Sequence, residues 1–384
     1  MGRKVCVVIT ARPSYARIRS ALQAIKDDPR LELQLVVTAS ALLDRYGSAD
    51  RVIESEGFRI DRRVFMIVEG ENLVTSAKST GFGLSEMASV FDDLKPDMVI
   101  SIADRFETMA TAVAASYMNI PLVHVQGGEV TGSIDEKVRH AITKLADLHL
   151  VASPQAAERV IRMGEQTDRV HVTGCPSIDV ARAAVAAPMR AKDIFAAYGG
   201  VGPRLDLSEP YLIVMQHPVT TEHRDARRHV EETLHAVLEA GMPTLWFWPN
   251  VDAGSALTAR GLRIGREDLA PRNIHFFKNL PPEEFIRVVN QSACIVGNSS
   301  VAIRECAYLG VPAVNIGTRQ SGRDRGRNVL DVGYDRRDIL AGIRRQVEKG
   351  RQPSDPIYGD GAAGARISQV LATAKLDTVK RLAY

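Results

Sequence analysis

The sequence is poor in several features that would assign it to a simple class. Only four cysteines occur in 384 residues, Cys6, Cys175, Cys294 and Cys306, and none forms a CxxC pair. That excludes a disulfide scaffold and a cysteine-rich metal module. All four lie in or beside apolar runs, so buried free thiols in a reducing compartment are expected. There is no HExxH motif and no His/Cys cluster, so no metal site is expected. No apolar run approaches the ~20 residues needed to span a bilayer. The N-terminus runs straight into a strand, Lys4–Ile9, without a signal-peptide pattern. The expectation is a cytoplasmic protein with no membrane partner. An excess of one charge is also lacking. Lysine and arginine number 49 against 46 acids, a net +3. That is not the concentrated basic stripe of a nucleic-acid binder, although it suits an anionic small molecule. Most of the positive charge is arginine, whose planar fork pairs well with phosphate and carboxylate.

What is present is alternation. Hydrophobic residues make up 45% and charged residues 25%, a globular profile. A chain of this length exceeds one ordinary core and predicts two domains. Short β-branched runs at Val5–Ile9, Leu33–Val37, Met98–Ile102, Leu122–Val125 and Leu148–Val151 read as buried parallel strands, with Val170–Val172 a further one. Helical patterns separate them at Tyr15–Lys26, Ser85–Leu94, Phe106–Met118, Glu136–Ala146 and Pro154–Met163. Gly81–Gly83 reads as a mobile loop. Gly and Pro punctuation from Ala183 to Pro210 marks a boundary. A second series then follows, with strands Tyr211–Met215, Pro243–Trp248, Ile274–Phe277, Cys294–Val296 and Ala313–Ile316. Its helices are predicted at Glu222–Ala240, Pro282–Gln291, Val301–Leu309 and Asp335–Lys349, and a last helix at Ala365–Ala374. The predicted class is α/β and glycosyltransferase-B-like: two Rossmann-like domains facing an interdomain cleft. The expected division is 1–185, a linker or hinge at 186–209, 210–364, and a C-terminal helix, 365–384, packing back on the first domain.

The residues at strand carboxyl ends carry the chemistry, because open α/β sheets bind ligands there. Leu122–Val125 breaks at Gly127-Gly128 and delivers Gln126 and Glu129. A helix then begins near Asp135, with Arg139 and His140 one turn on. Acids near a helix start also favour its dipole, so this placement alone does not establish function. Arg12 emerges after the first strand, just before a helix, a natural anion site. Asp104 and Arg105 follow Met98–Ile102. In the second half, His217 ends a strand and suits phosphate or proton transfer. His223, His229 and His235 fall on one predicted helix and read as solvated. Asn250 closes the next strand. Ser299 and Ser300 open a helix whose amides suit a diphosphate, and Glu305 further along it could accept a ribose hydroxyl. Arg319 and Arg323 lie in a Gly- and Arg-rich loop. Basic groups and carboxylates together suggest a nucleotide-diphosphate sugar.

In order along the chain stand TARPSYARI, ADRFE, VQGGEVTGSIDEKVRHAITKL, TGCPSID, QHPVTTE, GNSSVAIRE and GTRQSGR. Together these resemble the UDP-N-acetylglucosamine 2-epimerase family, its hydrolysing branch in particular. The resemblance implies removal of the C2 proton, loss of UDP from C1 to give a glycal, and hydration to N-acetylmannosamine. It implies no redox cofactor, and at least a homodimer. It places Asp104 and Asp135 as the catalytic acids and His217 beside the diphosphate; Glu129 is the candidate to replace the glutamate that Gln126 displaces, the alternative being that Asp104 and Asp135 carry the proton transfers alone. Arg12, Ser14, Arg105, Asn250, Ser299, Ser300, Glu305, Arg319 and Arg323 would contact the UDP-sugar. Phe277 and Lys278 would hold uracil through the backbone, and Gln126, Arg139 and His140 would lie near the sugar. One position departs from the pattern: well-known hydrolysing members carry glutamate where this chain has Gln126. The change resembles a subgroup acting on 2,4-diacetamido-trideoxy sugars. The alternatives are a non-hydrolysing epimerase giving UDP-ManNAc, the same chemistry on a diacetamido sugar, and a glycosyltransferase or nucleotide-sugar binding module.

Overall fold

The computed structural model describes residues 2–44, 47–70, 72–102, 105–130, 135–186, 193–249 and 254–383; for residues 73, 135, 220, 255 and 256 it describes the backbone only. The fold divides into two compact units. One comprises Met1–Glu129, Ile134–Asp179 and Tyr358–Tyr384; the other comprises Val130–Ser133 and Val180–Ile357.

The first unit is built on seven strands: β1 (Arg3–Ile9), β2 (Leu31–Thr38), β3 (Arg62–Val64), β4 (Met98–Ile102), β5 (Leu122–Val125), β6 (Leu148–Val151) and β7 (Val170–Val172). They form one parallel sheet in the order β3-β2-β1-β4-β5-β6-β7. Every residue of β4, β5 and β6 is buried. That is the burial a sheet covered by helices on both faces demands, and it explains why these runs read as unbroken apolar stretches. Along β1 the two-residue period assigns side chains to opposite faces. Val5, Val7 and Ile9 pack with Ile18, Leu22 and Ile25 of the Arg12–Asp27 helix. Cys6 and Val8 pack with Met87 and Phe91 of the Leu73–Leu94 helix. The C-terminal helix, Ala363–Thr373, joins the first of these cores through Ile367 and Leu371. Asp179 fixes its start, accepting the Ala363 and Gly364 amides at 2.9 and 2.7 Å and the Ser20 hydroxyl at 2.9 Å.

The second unit has six parallel strands: β8 (Leu212–Met215), β9 (Thr244–Phe247), β10 (Ile274–Phe277), β11 (Cys294–Gly297), β12 (Ala313–Ile316) and β13 (Val329–Val332). Their order is β10-β9-β8-β11-β12-β13. In each sheet the strand order reverses once, between β1 and β4 and between β8 and β11, which are the topological switch points where doubly wound folds take ligands.

The structure corrects several expectations. Gly81–Gly83 is not a loop; the helix runs unbroken from Leu73 to Leu94. A Cβ at Gly83 would come within 2.4 Å of Met66, so the glycine serves close packing rather than a break. The Ser255–Leu269 helix was not predicted; in it Gly261 and Gly265 face Val230 and Leu234 closely enough that any Cβ would clash. The edge strands β3 and β13 were missed because each is short and polar at one or more positions. The Val301–Leu309 helix is two pieces, Ser300–Ile303 and Glu305–Leu309, divided at Arg304, where ψ is −74°. Residues 193–209 are not a free linker: Ile194, Phe195, Tyr198, Leu205 and Leu207 pack into the second unit's core, and Val201 forms a β-bridge with Phe276. The three histidines do not share one solvated face. His223 lies in a 3-10 turn before the Ala226–Ala240 helix, and His229 is buried. All four cysteines are free and buried. No helix among the described residues is long and apolar enough to cross a membrane.

Candidate functional site

In the first unit the candidate groups gather after β1, β4 and β5. Arg12 opens the helix after β1, with Pro13 in its first turn and no side chain capping the end, so the first amides stay available to an anion. Burial lowers the Arg12 guanidinium from its ordinary value. Ser14 is buried one residue beyond Pro13. Arg105 follows β4 and pairs with the fully buried Glu107 at 3.2 Å. Asp104 lies outside the described residues, as does Asn250 in the second unit, and Asp135 is described only as the first residue of the Asp135–Leu145 helix.

The turn after β5 is tightly specified. Gln126 adopts φ of 68°, and Gly128 adopts φ of 73°. A Cβ at Gly128 would come within 2.2 Å of the Ala156 carbonyl, so only glycine fits. The turn brings Gln126 against Cys175, with Nε2 donating to Sγ at 3.0 Å. It also buries Glu129, which is 2% exposed. Arg139 reaches back from the following helix, donating to the Glu129 carbonyl at 2.9 Å and pairing with Glu136 at 2.9 Å. His140 meets the other Glu136 oxygen at 2.9 Å. Of these two residues, both expected near the sugar, Arg139 ties the loop to the helix, while His140 pairs within the helix in this structure. Cys175, from TGCPSID, was not singled out from sequence; its signal was only that it stood in a quoted motif.

In the second unit the groups gather after β8, β11 and β12. His217 is buried at the end of β8, and its main chain is gripped by Asn298: the His217 N–H donates to Asn298 Oδ1 at 2.8 Å, and Asn298 Nδ2 donates to the His217 carbonyl at 2.8 Å. Gly297 permits this contact. Its φ is 128°, and a Cβ would come within 2.1 Å of the Met215 carbonyl. The Asn298 carbonyl in turn accepts from Arg319 at 3.2 Å and Gln320 at 2.9 Å. Arg323 donates to the Gln320 side chain at 2.8 Å and lines an open cavity of about 490 Å³. Ser299 caps the short helix that follows, and Ser300 is its first residue. Glu305 is 8% exposed, and its Oε2 has no partner among the described residues, so the carboxylate retains capacity for a ligand hydroxyl. The Phe277 side chain is fully buried among Phe195 and Phe247, which leaves only its main chain for a ligand; Lys278 is exposed. Asn298 and Gln320 were missed from sequence, since an amide that organises loops leaves no periodic trace. Among the described residues there is no group of three or more His, Cys, Asp or Glu able to hold a metal.

A family model described as "UDP-N-acetylglucosamine 2-epimerase" matches residues 23–372. The chain is 31% identical over 376 residues to the "UDP-N,N'-diacetylbacillosamine 2-epimerase (hydrolyzing)" of Legionella pneumophila, covering 98% of this chain and 97% of the relative. It is 29% identical over 361 residues to the "UDP-N-acetylglucosamine 2-epimerase" of Neisseria meningitidis serogroup B, covering 94% and 92%. The fold is shared with the solved UDP-GlcNAc 2-epimerase from Neisseria meningitidis bound to UDP-GlcNAc, at a TM-score of 0.79 and 18% identity, covering 96% and 99%. With the family matched across nearly the whole length, the two switch points and the motifs that occupy them have a common explanation: this chain belongs to the UDP-N-acetylglucosamine 2-epimerase family.

Proposed function

We propose that the protein is a hydrolysing 2-epimerase of a UDP-linked 2-acetamido sugar. The first unit works on the sugar and contributes Arg12 and Ser14 to the diphosphate, and the second holds the rest of the nucleotide. In the first half-reaction a carboxylate removes the C2 proton, the C1–O bond to UDP breaks, and a C1=C2 double bond forms. In the second, water adds its oxygen to C1, and C2 takes a proton on the opposite face. The products are UDP and the free 2-epimer. Elimination and hydration leave the oxidation level unchanged, so the chemistry needs no redox cofactor. Asp104, Glu129 and Asp135 are read as the proton-transfer groups, and His217 as the group that assists departure of UDP. Arg12, Ser14, Ser299, Ser300, Arg319 and Arg323 hold the diphosphate, and Glu305 takes the ribose.

The observation that carries this reading is Glu129, a carboxylate buried at the carboxyl end of β5 by a turn that only glycine at 128 permits. A nucleotide-sugar binder has no use for such a group, and burying it is costly. UDP-GlcNAc is the first substrate to test. Gln126 and the Legionella relative favour a second, UDP-N,N'-diacetylbacillosamine, since a neutral amide can hold an additional acetamido group but cannot act as a base. The protein is further read as a cytoplasmic homodimer, to be checked by analytical ultracentrifugation.

Incubation with each sugar nucleotide in deuterated water, followed by NMR, tests the activity. The expected result is deuterium at C2, release of UDP and a free 2-epimer. Recovery of an epimerised UDP-sugar without free UDP would establish the non-hydrolysing reaction instead. Absence of C2 exchange with either substrate would overturn the epimerase reading.

A further inference from the structure

The loops after β8, β11 and β12 are joined by more than Asn298. Glu222 lies five residues beyond His217, in the 3-10 turn Thr220–Asp225. Its two carboxylate oxygens accept from two different loops. Thr318 Oγ1 donates to Oε1 at 2.5 Å, and Tyr334 Oη donates to Oε2 at 2.7 Å. Thr318 precedes Arg319, and its own N–H reaches the Tyr334 oxygen at 3.4 Å. Tyr334 is fixed in turn: its ring stacks on buried His229, with centroids 3.5 Å apart and planes within 4°. The result is a closed circuit. It runs from His217 to Asn298, from Asn298 to Arg319, from the adjacent Thr318 to Glu222, and along the chain back to His217.

We propose that Glu222 is a positioning residue that locks the Arg319 loop to the His217 loop, and so pre-forms the phosphate-holding half of the site. The inference rests on the nucleotide-diphosphate reading above and names a residue that reading does not use. Without Glu222, the Gly317–Arg323 loop keeps its tie to Asn298 and the main-chain bonds of Gly317 to Val332 and Thr318 to Tyr334, but loses the side-chain bond that joins Thr318 to the His217 loop. Arg319 then has to be ordered by the ligand, at a cost in binding. Burial, followed by the hydrogen bond to Glu222, pushes the Tyr334 phenol up to about 12, so it remains a donor throughout the working pH range. Burial likewise lowers His229, which favours a neutral ring against Tyr334.

The test compares Glu222→Ala, Glu222→Gln and Tyr334→Phe with the parent full-length protein. Two readouts are needed: hydrogen–deuterium exchange without ligand, and UDP affinity by calorimetry alongside KM and kcat. In Glu222→Ala, exchange across residues 317–323 should quicken while the first unit is unchanged. UDP binding should weaken and KM rise about tenfold, with kcat within about threefold, the pattern of lost uniform binding. Glu222→Gln should recover part of the affinity, because its amide oxygen can accept from one hydroxyl while its Nε2 can donate to the oxygen of the other. Tyr334→Phe should give an intermediate effect. Unchanged loop exchange in Glu222→Ala would overturn the brace. Parental UDP affinity and KM in Glu222→Ala, with only a lowered Tm, would show that Glu222 merely stabilises the fold. A parent protein that binds no UDP would instead refute the nucleotide reading, and the exchange data would still decide whether the brace exists.

Discussion

Gln126 holds a backbone conformation that non-glycine residues seldom adopt, at φ of 68°. Such strain persists only where surrounding contacts impose it. Here the N–H bonds to the Leu150 carbonyl at 3.0 Å and the side chain to Cys175. An anchored neutral amide suits binding rather than proton transfer. Gln126→Ala is therefore expected mainly to raise KM, whereas Glu129→Gln should remove most turnover; steady-state kinetics on both variants separates the roles, and the reverse pattern would exchange them. Asp104→Asn and Asp135→Asn should each lower kcat by roughly 10²-fold or more, the scale of a lost general acid or base, with UDP affinity nearly unchanged. Near-normal turnover in either would remove that residue from the mechanism. The serines act on binding instead. Replacing both Ser299 and Ser300 with Ala should weaken UDP binding by ~1–3 kcal/mol, the range for hydrogen bonds to charged groups; equal calorimetric affinities would count against the cradle.

At the scale of elements, Asp179 shows how one side chain joins segments far apart in sequence. Its carboxylate takes two amides at the start of the Ala363–Thr373 helix and the Ser20 hydroxyl of the Arg12–Asp27 helix. It thus acts as a helix cap supplied from elsewhere in the fold. Asp179→Ala leaves those amides unsatisfied against a packed helix, and should cost about 1–3 kcal/mol of stability. The check is thermal unfolding together with exchange of the 363–373 amides, and a Tm equal to the parent's would show the cap to be dispensable. The same unit holds a buried charge cluster. Glu165 accepts from Lys144 and Lys380 at 2.5 Å each and meets His149 at 3.0 Å. Burial alone would raise the Glu165 carboxyl, but the hydrogen bonds from these three partners outweigh it and hold the group at about 2. A carboxylate depressed in the folded state stabilises above its unfolded value and loses that contribution as pH falls toward the folded one. Burial also depresses His149, which adds instability from about its ordinary value of 6.5 downward. Denaturant midpoints should therefore fall as pH drops from 6.5, most steeply between about 4.5 and 2, and Glu165→Gln should flatten the lower part of that slope. An unchanged slope in the variant would assign the acid lability to other groups.

On the scale of the whole molecule, the two units have separate cores, and the proposed ligand contacts fall in both. The nucleotide reading makes UDP a stabiliser: at about 100 times its Kd it should add ~2.7 kcal/mol to whatever binds it. Calorimetric scans should show that gain in the transition of the second unit, located by exchange; a UDP-independent thermogram would contradict it. The sequence by itself determined the βαβ alternation, the strand-end loops and their motif residues, because strand length, apolar periodicity and glycine punctuation are local properties of the chain. It took Gly81–Gly83 for a break and missed the helix holding Gly261 and Gly265, since at Gly83, Gly261 and Gly265 a glycine that admits a close neighbour looks identical in sequence to one that ends a helix. Tertiary structure alone decided the strand order and so the two switch points, the burial of Arg139 and His229, the grip of Asn298 on His217 and the closure of the circuit by Glu222. Apart from Arg139, which bonds to nearby Glu129 and Glu136, each of these depends on a partner distant in sequence, and residue pattern carries no record of which distant partner the fold will bring within reach.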